Sequence, residues 1–259
     1  MGEVIVITSG KGGVGKTTTT ANVAVALAGL GKKVIGIDLD LGLRNLDVAL
    51  GLDEKIVYDV VDVLEQKCRL RQALVKHETE GVTLLAASQT RDADALDPEK
   101  LMRLLKELKE TFDYVLIDCP AGIGRGFENA LAGADGAIVV TVPQVAAVRD
   151  ADRVIMRLME KGIENPRLLI NRMRPDLTKK GVFLRIEEIL EWLSIPLLGV
   201  VPEDEAVFLG GILGSIAKQK DGSRAAEAFS NVARRLIGEQ VPVIDLTKKK
   251  RRLFRKKKV

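Results

Sequence analysis

Eight residues, Gly10 to Thr17, read GKGGVGKT and match the spacing G-x-x-x-x-G-K-[ST]. That spacing serves phosphate chemistry. Gly10, Gly12, Gly13 and Gly15, with Val14 between them, let backbone N–H groups converge on anionic oxygens. Lys16 is placed to reach β- and γ-phosphates, Thr17 to offer a hydroxyl to Mg²⁺, and Thr18 continues the binding segment. Lys11 is unusual, because an ordinary phosphate loop does not need a second lysine at its start. Aimed outward, it would serve the nucleotide of a facing subunit, as an arginine finger supplied in trans does.

Three carboxylates complete the set. Asp38 and Asp40 flank Leu39 at the end of an apolar run. If the strand persists that far, period two places both on one side. One would hold the Mg²⁺ shell through water and the other would orient the attacking water. Asp118 ends the run YVLID and fits a Walker-B carboxylate beside Thr17 and Mg²⁺. The turn Pro120 to Gly122 that follows is suited to sensing a γ-phosphate. Cys119 has no histidine near it in sequence and reads as packing.

The elements that must position these groups alternate. Apolar runs at Glu3–Thr8, Lys32–Asp38, Gly81–Ala87, Tyr114–Asp118, Gly136–Val142, Pro166–Asn171 and Pro196–Val201 read as strands. Thr17 to Gly31 reads as a helix. Asp97 to Glu110 is a second, with Asp97 as cap, Pro98 at its first position and Leu101, Leu104, Leu105 and Leu108 on one face. Strands that are apolar throughout belong to a parallel sheet covered on both faces. The expected fold is α/β: a single doubly wound, mostly parallel sheet of the P-loop NTPase type. Its ligands would lie beyond the carboxyl ends of the strands.

Composition narrows the functions. The 259 residues hold 40 Lys plus Arg and 36 Asp plus Glu. Nine of the bases lie between Lys248 and Lys258, leaving 31 bases to 36 acids before them, a net −5. A mildly acidic body with one basic run points to a localised electrostatic contact. Two cysteines without a C-x-x-C fit a reducing compartment, and a lone histidine, His77, disfavours a zinc site. The first residues carry no signal-peptide pattern, and no apolar run reaches the length of a membrane span. The expected location is the cytoplasm.

GKGGVGKT with its extra Lys11 is similar to the deviant Walker A motif of the MinD/ParA family of ATPases. Further stretches resemble the same family: DLDLGLRNLDV (Asp38 to Val48), ASQTRDADAL (Ala87 to Leu96), DCPAGI (Asp118 to Ile123), VRDADR (Val148 to Arg153), LLINR (Leu168 to Arg172) and GVVPED (Gly199 to Asp204). The resemblance implies an ATP hydrolase that forms an ATP-dependent homodimer, binds membrane and helps place the bacterial division site. It implies that Lys11 contacts phosphate across the dimer and that Asp40 handles the attacking water. It implies that Asn171, next to Arg172, and backbone around Pro202, Glu203 and Asp204 recognise adenine. Asp152 would belong to the dimer and partner face, and MinC-like and MinE-like proteins would be partners. Three features depart from the family pattern. Gly124 stands where an acidic residue is usual, Phe208 to Gly222 replaces a polar segment, and the basic run has few large apolar residues.

That resemblance makes residues 241–259 a membrane-targeting tail on an ATPase domain of residues 1–240. Lys250, Arg251, Arg252, Leu253, Phe254 and Arg255 form its centre, an anchor on anionic phospholipid at the inner face of the cell membrane. Drawn as a helix it shows only a narrow apolar strip, so charge should dominate. The alternative is a nucleic-acid partitioning ATPase of the ParA type. The acidic body and the single aromatic residue of the run speak against it.

Overall fold

The apolar runs of the sequence become strands buried on both faces. The computed structural model describes residues 1–216 and 222–246. Strands β1 (Glu3–Thr8), β2 (Val34–Asp38), β3 (Leu74–Lys76), β4 (Val82–Leu85), β5 (Tyr114–Asp118), β6 (Gly136–Thr141), β7 (Arg167–Met173) and β8 (Leu197–Pro202) form one sheet. Their order is β3-β4-β2-β5-β1-β6-β7-β8. Every neighbouring pair is parallel except β3–β4. The doubly wound α/β sheet expected from the alternation is therefore present. The edge strand β3 escapes a reading of the sequence, because its three residues are only partly buried and show no period.

Helices cover both faces. On one lie α1 (Lys16–Gly29) and α2 (Leu46–Leu50). On the other lie α3 (Val60–Leu64), α5 (Pro98–Thr111), α6 (Arg125–Ala130), α7 (Val145–Glu160) and α9 (Ile186–Leu193). Short α4 (Leu70–Ala73) and α8 (Pro175–Lys179) sit in connections. Helices α10 (Glu205–Leu213) and α11 (Arg224–Leu236) follow the last strand, and α11 closes over α1. Helix α5 forms as its sequence dictates: Asp97 accepts from the N–H groups of Glu99 and Lys100, and its four leucines are buried.

Strand β1 lies between β5 and β6, and the chain leaves it towards β2, on the far side of β5. The connection after β1 thus opens at the switch point of the sheet. Past α11 the body still holds the chain. Arg235 donates to the Val241 carbonyl at 2.8 Å, and Arg224 donates to the carbonyls of Asp245 and Leu246. Anchoring so continues to Leu246, beyond the boundary expected at 240. Lys250, Arg251, Arg252, Leu253, Phe254 and Arg255 lie outside the described residues.

Candidate active site

The connection from β1 to α1 is the phosphate loop. Gly15 is the N-cap of α1 with φ 95°, a left-handed conformation that costs a side chain dearly. A Cβ there would also meet the Asn171 amide nitrogen at 2.4 Å. No side chain caps the helix and no acidic residue lies in its first turn, so its first N–H groups are left to an anionic ligand. At Gly12 and Gly13 a Cβ would meet nothing within 4 Å, so the loop borders open space. Lys16 is buried at the helix start, whereas Lys11 is exposed. Asn171 holds the loop from β7, its amide donating to the Val14 carbonyl at 2.8 Å.

The carboxylates converge on this loop. Asp118 accepts from the Thr17 hydroxyl at 2.6 Å and from the Thr20 hydroxyl at 3.1 Å. Strand register places Asp38 directly beside Asp118, and both are buried. Asp38 accepts from three backbone N–H groups, those of Asp40 (2.9 Å), Asn45 (3.0 Å) and Leu46 (3.0 Å). The strand does not persist to Asp40 as the period-two reading required. It ends at Asp38, and a turn brings Asp40 back, its carbonyl accepting from Leu43 and Arg44. Asp38 is therefore the anchor of the loop that carries Asp40, and the two carboxylates are held together by a turn.

The electrostatics follow from burial. Burial pushes the Asp118 carboxyl up from the ordinary range, and the charge of Asp38 pushes it further; the Thr17 bond and the Lys16 charge oppose this. Asp38 is also pushed up by burial, against the N–H groups of Leu46 and Asp40. Half-buried Asp40 is raised by burial and lowered by Lys16. Two buried carboxylates side by side form a site that gains from a cation. Among the described residues no three His, Cys, Asp or Glu side chains cluster as a metal cage. A divalent ion beside Thr17 would instead take most of its ligands from phosphate and water, as Mg²⁺ does. Burial drives the Cys119 thiol well above its usual range, which leaves it as inert packing.

Beyond the loop lies a cavity of about 750 Å³ lined by Thr18, Asn171, Arg172, Pro202, Glu203, Asp204 and Phe208. The residues expected around adenine thus line one cavity. The Asp204 carboxylate is occupied elsewhere. It accepts from Ala206 N–H at the start of α10, and from Ser223 and Ala225 at the start of α11. Arg172, with φ 52°, also borders a second cavity of about 230 Å³ that contains Lys11, Gly12 and Gly13. Arg174 and Asp176, which belong to no motif in the sequence, lie on the larger cavity as well. Only their place just after β7 could have marked them.

This arrangement has close relatives. The septum site-determining protein MinD of Bacillus subtilis (strain 168) is 53% identical over 246 residues, covering 94% of this chain and 92% of that protein. The chain belongs to the MinD family. A family model described as an AAA domain matches residues 2–168. The MinC:MinD cell division protein complex of Aquifex aeolicus contains a chain of TM-score 0.87 and 43% identity, covering 94% of this chain and 98% of that one. MinD of Pyrococcus horikoshii, solved with Mg-ADP, has TM-score 0.82 and 35% identity, covering 91% and 96%. Membership makes this a nucleotide-binding P-loop ATPase of the MinD/ParA kind, tied to septum site determination. Set against the MinD pattern, Gly124 caps α6 without a side-chain bond. Asp152 lies half-buried on α7, whose Asp150 backbone abuts Gly10.

Proposed function

We propose that the protein hydrolyses ATP to ADP and phosphate, dimerises when it holds ATP, and binds anionic membrane through its basic run to help position the division site. The observation that carries the enzymatic part is the Thr17–Asp118 contact of 2.6 Å beside buried Lys16 at the phosphate loop. Mg²⁺, when bound, would neutralise charge between the β- and γ-phosphates. Asp118, through Thr17, would fix its place. Lys16 and the open N–H groups of the loop would hold the phosphates in line. Asp40, on the loop anchored by Asp38, would orient the water whose oxygen bonds to the γ-phosphorus as the bond to the ADP oxygen breaks. Asn171, Arg172 and the backbone at Pro202 to Asp204 would embrace the base.

Lys11 supports the dimer reading, because its side chain is exposed while its carbonyl is fixed by the Ser9 hydroxyl at 2.8 Å. An exposed lysine at the phosphate loop would be able to reach a facing copy. A MinC-like partner is supported by the Aquifex complex, and a MinE-like one follows the family. The nucleic-acid alternative gains nothing from these relatives. No helix among the described residues is long and apolar enough to cross a membrane, so contact with a bilayer would be peripheral. Sedimentation with vesicles containing phosphatidylglycerol tests the whole reading. The ATP form should pellet and the ADP form should remain in solution; equal behaviour of the two would sink the nucleotide switch.

A further inference from the structure

Helix α10 is apolar yet lies largely outside the core. From Ala206 to Ile216 the sequence has no charged residue, and a helix apolar all round belongs in a core. Yet Gly210 is its only buried residue. Phe208 is 66% exposed, Leu209 45%, Ile212 63% and Leu213 74%. Positions 208, 209, 212 and 213 share one side of a helix. The end of the helix is seated on α2 so closely that a Cβ at Gly214 would lie 2.8 Å from the Gly51 Cα. What faces outward is a contiguous apolar patch, and such patches mark contact surfaces.

Its neighbours identify the occupant. Phe208 and Gly211 border the same cavity as Arg224 and Leu246. Arg224 holds the carbonyls of Asp245 and Leu246, so the chain passes α10 just before the nine bases begin at Lys248. Lys218 and Lys220 follow α10 in sequence. An interfacial anchor needs cations for anionic headgroups and an apolar wedge for the acyl boundary. The basic run supplies the first in abundance and, with only Leu253 and Phe254, little of the second. We propose that the exposed face of α10 enters the interfacial layer of an anionic bilayer and is the apolar wedge of the membrane contact. A second copy of the chain is a poorer occupant: four side chains are few against the ~20–30 residues per side of a stable interface.

This inference rests on the membrane reading above, and the test separates the two. Ile212→Ser with Leu213→Ser in the full chain avoids both the cavity and the buried face. With ATP and vesicles of phosphatidylglycerol and phosphatidylcholine, the double variant should bind about tenfold more weakly than wild type. Wild type should retain binding in about 0.5 M salt, where charge is screened, and the variant should lose it. A Leu213→Trp probe in a Trp192→Phe background should be quenched by lipids brominated in their acyl chains. A wild type that never sediments ends the membrane reading itself. Equal sedimentation of wild type and double variant at both salts, or an unquenched probe on vesicle-bound protein, ends only the assignment of α10. Loss of the ATP dimer by the double variant, seen by light scattering without vesicles, would overturn it in favour of a second copy.

Discussion

At the scale of single residues, the site divides its carboxylates by what surrounds them. Asp40 is half-buried and is proposed to act on the attacking water, whereas Asp38 serves three backbone N–H groups. Asp40→Ala should therefore bind nucleotide and dimerise but turn over about 100-fold more slowly in a phosphate-release assay. Asp38→Ala would instead release the whole loop from residue 40 to 46. Asp118 shows the opposite balance between stability and use. Buried beside another carboxylate, it is costly in the nucleotide-free protein. Asp118→Asn should abolish Mg²⁺-dependent turnover while raising the nucleotide-free stability by roughly 0.5–2 kcal/mol, a trade seen when functional groups are neutralised. Thermal unfolding without nucleotide checks it, and a lowered melting temperature would show that the Thr17 and Thr20 bonds outweigh the repulsion.

At the scale of elements, one carboxylate joins three segments. Asp204 caps α10 through Ala206 and α11 through Ala225 and Ser223, and α11 begins with the Arg224 that holds the chain at Leu246. Burial pushes the Asp204 carboxyl up, but these donors outweigh it and leave it below its ordinary value. Its charged form is thus favoured by folding. That contribution is complete above the ordinary Asp range and is lost as pH falls through the lower folded value. Asp204→Ala should cost about 1–3 kcal/mol at neutral pH, as for one or two lost caps. In urea unfolding at about pH 3 the gap between variant and wild type should shrink. Nothing in the sequence announced this role, since GVVPED reads as a strand end and the two helices are separated by the segment at 217–221. Asp97 was legible because its cap is local, with Pro98 and a leucine stripe directly after it. The phosphate loop was legible for the same reason. Asp38 and Asp118 were legible as carboxylates around one Mg²⁺, but their side-by-side register was not, because only the order of strands brings it about. Nor was α10, whose apolar residues match a core pattern that the fold leaves outside.

At the scale of the whole molecule, charge lies at one end of an otherwise acidic chain, so binding to an anionic surface should be reversible for one copy. Each base near such a surface is worth ~1 kcal/mol before screening. Replacing Lys248, Lys249, Lys250, Arg251 and Arg252 with glutamine should weaken vesicle binding by about tenfold or more, and Phe254→Ala by less. Two copies joined by ATP, as proposed above, would hold two basic runs, and effective concentration would then raise affinity without any new contact. A titration of vesicle binding against protein concentration should be sigmoidal with ATP and hyperbolic for a dimer-deficient Lys11→Ala. The sheet order has a further consequence, in time. Strand β1 is made early, yet both of its neighbours, β5 and β6, lie more than a hundred residues downstream. At ~5–20 residues per second, the apolar run Glu3–Thr8 waits on the order of 5–20 s on the ribosome for its first partner strand. Through that interval the phosphate loop has no scaffold, and a nascent chain stalled before Tyr114 should be digested by protease within β1. One stalled after enough sequence for Thr141 to clear the ribosome should be protected there.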